Sequence, residues 1–177
     1  MCKGAYSKRG TMDIWQLQQR ISRHLLFWSA ISFFAGSWFL FSSKPPLLQG
    51  IGVQAIIWSI VNAVIAWFAG RSTQRRKAGL AQPHSAAVMQ AETQRLRRLL
   101  LINAGLDVGY MAIGILIIAT LGRGSAFAQG NGWGVVIQGA FLLFFDGFYS
   151  WRSLNLPDSA AEPRAKPESD QQPKPEV

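Results

Sequence analysis

The sequence predicts an all-α fold: an integral membrane four-helix bundle built from two similar transmembrane hairpins, with both termini in the cytoplasm. Three observations predict it. First, the segments 24–42, 47–69, 99–121 and 133–151 contain no Asp, Glu, Lys or Arg apart from Asp107 and Asp146. At about 1.5 Å per helical residue, each is long enough to cross a hydrocarbon core of about 30 Å. A bilayer forces such segments into helices, because each must satisfy its own backbone polar groups. Second, 16 of the 18 Lys and Arg residues fall on one side of this arrangement, and only Lys44 and Arg123 fall on the other. By the positive-inside rule that side is cytoplasmic. Third, the two halves repeat one another, as set out below.

Totals alone would not give this reading, since 177 residues that are 49% hydrophobic and 15% charged also fit a soluble domain. The distribution decides. The formal charge of +9 is accounted for by topology and by attraction to anionic lipid headgroups at the cytoplasmic face, without a nucleic-acid partner.

Residues 1–23 form a cytoplasmic N-terminus that includes an interfacial amphipathic helix. Thr11 is placed to cap it and Asp13 lies in its first turn, with Ile14, Trp15, Leu17 and Ile21 toward one side. The first apolar run is too long for a cleaved signal peptide. The lone Cys2 excludes an internal disulfide and a cysteine metal cluster. The membrane domain spans 24–151. Lys44, Pro45 and Pro46 break the chain after the first span and set a tight hairpin. A cytoplasmic connection, 70–98, is polar to about His84; then Val88, Ala91, Leu96 and Leu99 predict a helix running into span three. Gly122, Gly124, Gly130, Gly132 and Gly134 predict a permissive loop before span four. The tail, 152–177, is rich in Pro, Glu, Lys, Ser and Gln from Pro157 onward and reads as a disordered cytoplasmic extension.

Residues 19–26 (QRISRHLL) match 94–101 (QRLRRLLL) at an offset of 75, which also sets Ser32 opposite Asp107. Spans two and four align at an offset of 84, pairing Gly50, Gln54, Asn62 and Trp67 with Gly134, Gln138, Asp146 and Trp151. Duplicated hairpins of this kind are related by a pseudo-twofold axis along the membrane normal. Counted from the cytoplasmic boundary, Ser32, Asn62, Asp107 and Asp146 then share one depth and predict a polar layer with one residue from every span. Asn103 and Tyr110 bracket Asp107 on one helical stripe. Gln54 with Gln138 forms a second polar level nearer the outside. Gly105 with Gly109, and Ala55, Ser59 and Ala63, allow close helix approach.

An Asp within a span must face protein or water, because exposing it to lipid is costly. Three readings of the layer stand. The groups are interhelical glue at about 0.6 to 2 kcal/mol each; or Asp107 and Asp146 are a proton-carrying or cation-binding pair; or the layer holds a small ligand. Other chemistry finds no support. His24 and His84 are separated by a whole hairpin without a Cys cluster, so no metal site is expected. The glycines at 130, 132 and 134 lack the Lys and Ser or Thr of a phosphate loop. Trp15, Trp67, Trp133 and Trp151 fall at expected interfaces, as an aromatic belt.

The stretches GVQAIIWSIVNAVIAW at 52–67, NAGLDVGYMAIG at 103–114 and GVVIQGAFLLFFD at 134–146 resemble a family of small four-span bacterial membrane proteins catalogued as a domain of unknown function. The resemblance covers about 20–152. It implies a bacterial inner-membrane location and brings no activity with it. The expected function is a structural, accessory or interaction subunit, not an enzyme and without a cofactor, whose basic face meets lipid or a membrane-complex partner. The alternative is a small proton- or cation-linked transporter or ligand-binding membrane protein using the polar layer, as a homodimer because one bundle encloses little space.

Overall fold

The computed structural model describes residues 12–156 and is helical throughout. Cys2, Thr11 and the tail from Pro157 lie outside the described residues; the helix expected to be capped by Thr11 starts at Ile14 with Asp13 as its cap, not in its first turn. Four long helices, α1 (Ile14–Ser42), α2 (Pro46–Ala78), α3 (Ala86–Ala119) and α4 (Ala126–Leu154), run up and down, with a single 3₁₀ turn (Leu121–Arg123) before α4. Each is long and apolar enough to cross a membrane. α1 packs along α2, α3 along α4, and α2 against α4. One end of the bundle carries the α1–α2 and α3–α4 turns; the other, the basic end, carries the α2–α3 connection.

Local chemistry sets the helix ends. Asp13 caps α1: its carboxylate accepts the Gln16 amide at 2.7 Å while the Gln16 side chain accepts the Asp13 amide at 3.3 Å. Pro45 and Pro46 open α2, where a missing N–H is harmless. The Ser125 hydroxyl accepts the Ala128 amide at the start of α4.

Three boundaries differ from the sequence reading. The expected surface helix is continuous with α1, and its Ile14, Trp15 and Leu17 are buried, with the Trp15 indole donating to the Pro83 carbonyl at 2.9 Å. Trp15 is therefore a core residue and leaves the aromatic belt. α2 continues to Ala78, well into the stretch expected as a connection. The largest difference is that Gly130, Gly132 and Gly134 lie inside α4, buried, and form no loop. Glycine breaks helices in water, but between apolar helices it lets two backbones touch.

That touching is reciprocal. A Cβ on Gly36 would stand 2.8 Å from the Gly52 carbonyl oxygen and 3.0 Å from the Ile56 amide; one on Gly52 would stand 2.6 Å from the Gly36 carbonyl oxygen and 2.8 Å from the Leu40 amide. Gly114 and Gly132 repeat the arrangement. A Cβ on either would lie 2.8 Å from the other's carbonyl oxygen and 3.1 Å from the amide of Val136 or Ile118, again four residues beyond the facing glycine. Between α2 and α4, a Cβ on Gly50 would strike the Phe127 carbonyl oxygen, and one on Gly130 the Leu47 carbonyl oxygen. The packing thus relates 47, 50 and 52 to 127, 130 and 132, a separation of 80, and Gly36 to Gly114, a separation of 78. Sequence matching gave 84 and 75.

Gly105 and Gly109, expected to mediate close approach, have no atom within 4 Å of a built Cβ and lie on the exposed side of α3. Gly130→Ala should accordingly destabilise the protein by about 1 to 3 kcal/mol, whereas Gly105→Ala should be neutral or slightly stabilising through helix propensity. Thermal unfolding of both variants in mild detergent checks this contrast.

Candidate functional site

Polar groups inside the bundle fall into three sets with different degrees of satisfaction. Near the middle, Gln138 of α4 accepts a hydrogen bond from the Trp28 indole at 3.2 Å and donates to the Ser32 hydroxyl at 3.5 Å, joining α1 to α4. Trp28 also stacks on Phe141, with ring centroids 3.7 Å apart. Nearer the turn end, Gln54 of α2 donates to Asn131 of α4 at 3.0 Å. The expected Gln54–Gln138 level is therefore replaced by two separate pairs, and Ser32 is bound to Gln138 instead of the carboxylates. The reason is register: with α2 and α4 related by 80 positions, Gln54 stands opposite Gly134 and close to Asn131.

The second set is the carboxylate pair. Asp107 is 4% exposed, Asp146 7% and Asn62 2%. Asp107 and Asp146 interact electrostatically. Their convergence follows from helix direction. Side chains tilt toward the N-terminus of their own helix, so on antiparallel α3 and α4 Asp107 leans toward the basic end and Asp146 toward the turn end. Gly139 lets the two backbones close at this level, where a Cβ would lie 3.2 Å from the Asp107 carbonyl oxygen. Asp107 Oδ2 and Asn62 Nδ2 are buried with no hydrogen-bond partner among the described residues. Tyr110 does not bracket Asp107 as expected; it is 37% exposed and its ring packs edge-on to Trp58 at 5.0 Å. Asn62 and Asp107 each lie one helical turn, or nearly so, basic-ward of that Trp58–Tyr110 contact, which sets them at a common level.

All four residues of the expected layer are buried, but only Asp107 and Asp146 are brought together. They are not copies of one position in the packing register either, since Asp146 stands where the first hairpin has Ala66, and Asn62 where the second has Leu142.

The third set was not anticipated. At the basic end Gln18 of α1 accepts from the Thr73 hydroxyl at 2.8 Å and from Arg76 at 3.1 Å, and donates to Glu92 of α3 at 3.3 Å. Arg76 also pairs with Glu92 at 3.4 Å. This clasp ties three helices together. A signal existed for it: Glu92 is the one acidic residue in the strongly basic stretch 71–98. His24, expected at an interface, is exposed and hydrogen-bonded through Nδ1 to the Tyr149 hydroxyl.

These features define an up-and-down bundle of four apolar helices, sewn by glycine crossings and enclosing paired carboxyl groups. Within that class, the chain belongs to a family of unknown function (DUF6992), whose model matches residues 24–147. The match takes in every glycine crossing, Gln138 and both carboxylates, and stops one residue after Asp146. No curated protein and no solved structure matches the chain.

Replacing Gln138 by Leu removes the acceptor for Trp28 and the donor to Ser32. The expected loss is about 0.6 to 2 kcal/mol, the range for interhelical hydrogen bonds between apolar helices. Equilibrium unfolding in mixed micelles, compared with Trp28→Phe, checks both its size and its origin in that bond.

Proposed function

We propose that this chain is a multi-pass membrane protein of a bacterial inner membrane, with cytoplasmic termini, in which Asp107 and Asp146 together bind a proton or small cation without an enzymatic step. Membrane placement is supported by the four apolar helices and by large apolar side chains on the outside, among them Phe27, Phe34, Phe41, Leu116 and Phe144. In water such a surface would aggregate. The orientation rests on the 16 to 2 split of basic residues. The reciprocal glycine contacts support descent from a duplicated hairpin, since an exchange-symmetric interface is what two copies of one unit form.

One observation carries the binding reading: Asp107 is buried, its Oδ2 has no partner among the described residues, and a second buried carboxyl interacts with it electrostatically. No Lys or Arg occurs in the four apolar segments to balance the charge. Two uncompensated carboxylates in an apolar interior are costly. A shared proton or a bound cation balances them and gives Oδ2 a partner. Groups that serve as glue are satisfied within the protein, as Gln54 and Gln138 are; Asp107 Oδ2 has no partner among the described residues.

The test is thermal unfolding of the protein in nanodiscs across pH and across sodium and potassium concentrations. The native protein is expected to respond to one of these. Asp107→Asn with Asp146→Asn should abolish that response while changing stability at the reference condition by no more than about 1 to 2 kcal/mol. A native protein indifferent to pH and to both cations would leave the structural or accessory role as the correct reading.

A further inference from the structure

Toward the basic end, α1 and α2 enclose a cleft of about 400 Å³. Ser22, Ala66 and Gly70 line its floor, and a Cβ on Gly70 would lie 3.6 Å from both Ser22 Cβ and Oγ. The helices meet there through small groups only. Above the floor stand Gln19 and Arg23 from α1 and Arg71 and Gln74 from α2. The Arg71 guanidinium lies 4.8 Å over the Trp67 ring, a stacking that holds its planar donor fork in place. Glu92 is occupied by Arg76 and Arg95, and neither Arg23 nor Arg71 has a carboxylate partner among the described residues. Two guanidiniums and two amides around a small-residue floor offer the donors that an oxyanion needs.

The position of the cleft says which oxyanion. Leu26 and Trp67 form its wall toward the turn end. Beyond them the outer surface turns apolar, with Phe27, Ile31 and Phe34 exposed on α1 and Ile60 and Val64 on α2. A cationic cleft opening onto an apolar helix face fits a phosphate that carries acyl chains. The polar edge also recurs: Gln94, Arg98 and Leu101, spaced as Gln19, Arg23 and Leu26 are, share an open face of α3 with Arg97.

We propose that the α1–α2 cleft binds the phosphate headgroup of an anionic phospholipid through Arg23 and Arg71, and that the Gln94–Arg98 face of α3 is its counterpart in the second hairpin. This rests on the membrane-spanning reading and is independent of the carboxylate pair.

The test uses the full chain reconstituted with phosphatidylglycerol or phosphatidylcholine, extracted in mild detergent and analysed by native mass spectrometry. Recovery of the chain in the bilayer fraction reports the membrane reading separately from lipid retention. The native protein should retain phosphatidylglycerol, up to two molecules, and little phosphatidylcholine. Arg23→Gln with Arg71→Gln should weaken retention at one site by about thirtyfold, the factor expected for two cations near an anionic surface. Arg98→Gln should weaken the other. The charge-matched control, Arg75→Gln with Lys77→Gln, should leave both unchanged. Equal loss in the control, or retention unaffected by the cleft variants, overturns the proposal. So does displacement of the lipid by millimolar glycerol 3-phosphate, which would make the site one for a soluble phosphorylated molecule.

Discussion

The structure depends on backbone-to-backbone contact at glycine. Lipid solvates Leu and Phe as well as a neighbouring helix does, so apolar burial gives four such helices little reason to associate in a bilayer. Close packing must do the work, and it requires positions without a side chain. Gly36 with Gly52, Gly114 with Gly132, and Gly50 with Gly130 supply three such crossings, each too tight for a Cβ. The first two form the hairpins and the third joins them. Because α2 and α4 meet at Gly50 and Gly130 near their starts, the bundle is tightest toward the turn end.

The distribution of polar groups follows from that geometry. A Cβ that would be 2.8 Å from the facing backbone at Gly36 has ordinary contact at 3.6 Å near Gly70, so α1 and α2 leave room toward the basic end for side chains larger than hydrogen. Ser29, Ser59, Asn62, Asp107 and Asp146 occupy the inside of this half. Beyond them, Gln18, Thr73, Arg76 and Glu92 close the end with charged hydrogen bonds among three helices. The carboxylate pair is thus confined between a glycine seam and a polar clasp, in apolar segments that hold no Lys or Arg to neutralise it.

The four helices are legible in the sequence because a segment long and apolar enough to cross a bilayer can do so only as a helix, and the Pro45–Pro46 break is a local effect that tertiary packing cannot override. Burial of Asp107 and Asp146 was legible for the same reason. The meaning of glycine is not legible: composition predicts a loop at Gly130, Gly132 and Gly134 and a packing motif at Gly105 and Gly109, and the structure reverses both. Spacing alone does not say which face of a helix finds a partner. Polar residues were matched by likeness, so Gln54 was set with Gln138 at an offset of 84, while the backbone contacts impose 80 and deliver Gln54 to Asn131. A shift of one helical turn changes every polar partner while leaving the apolar pattern intact. The clasp went unread because its members are scattered over three helices, with only the isolated Glu92 to mark it.

The α2–α4 seam is the claim on which the rest stands, and a cysteine pair tests it most directly. A Cβ on Gly134 would lie 2.5 Å from the Gln54 Cβ, closer than the spacing of about 3.8 Å in a disulfide, so a small relaxation aligns the two sulfurs. In a Cys2→Ser background, Gln54→Cys with Gly134→Cys should form an intramolecular disulfide under mild oxidation in membranes, seen by mass spectrometry of the linked peptides. Gln54→Cys with Gly105→Cys should not. Absence of the first linkage in folded protein, or equal formation of the second, would contradict the packing described.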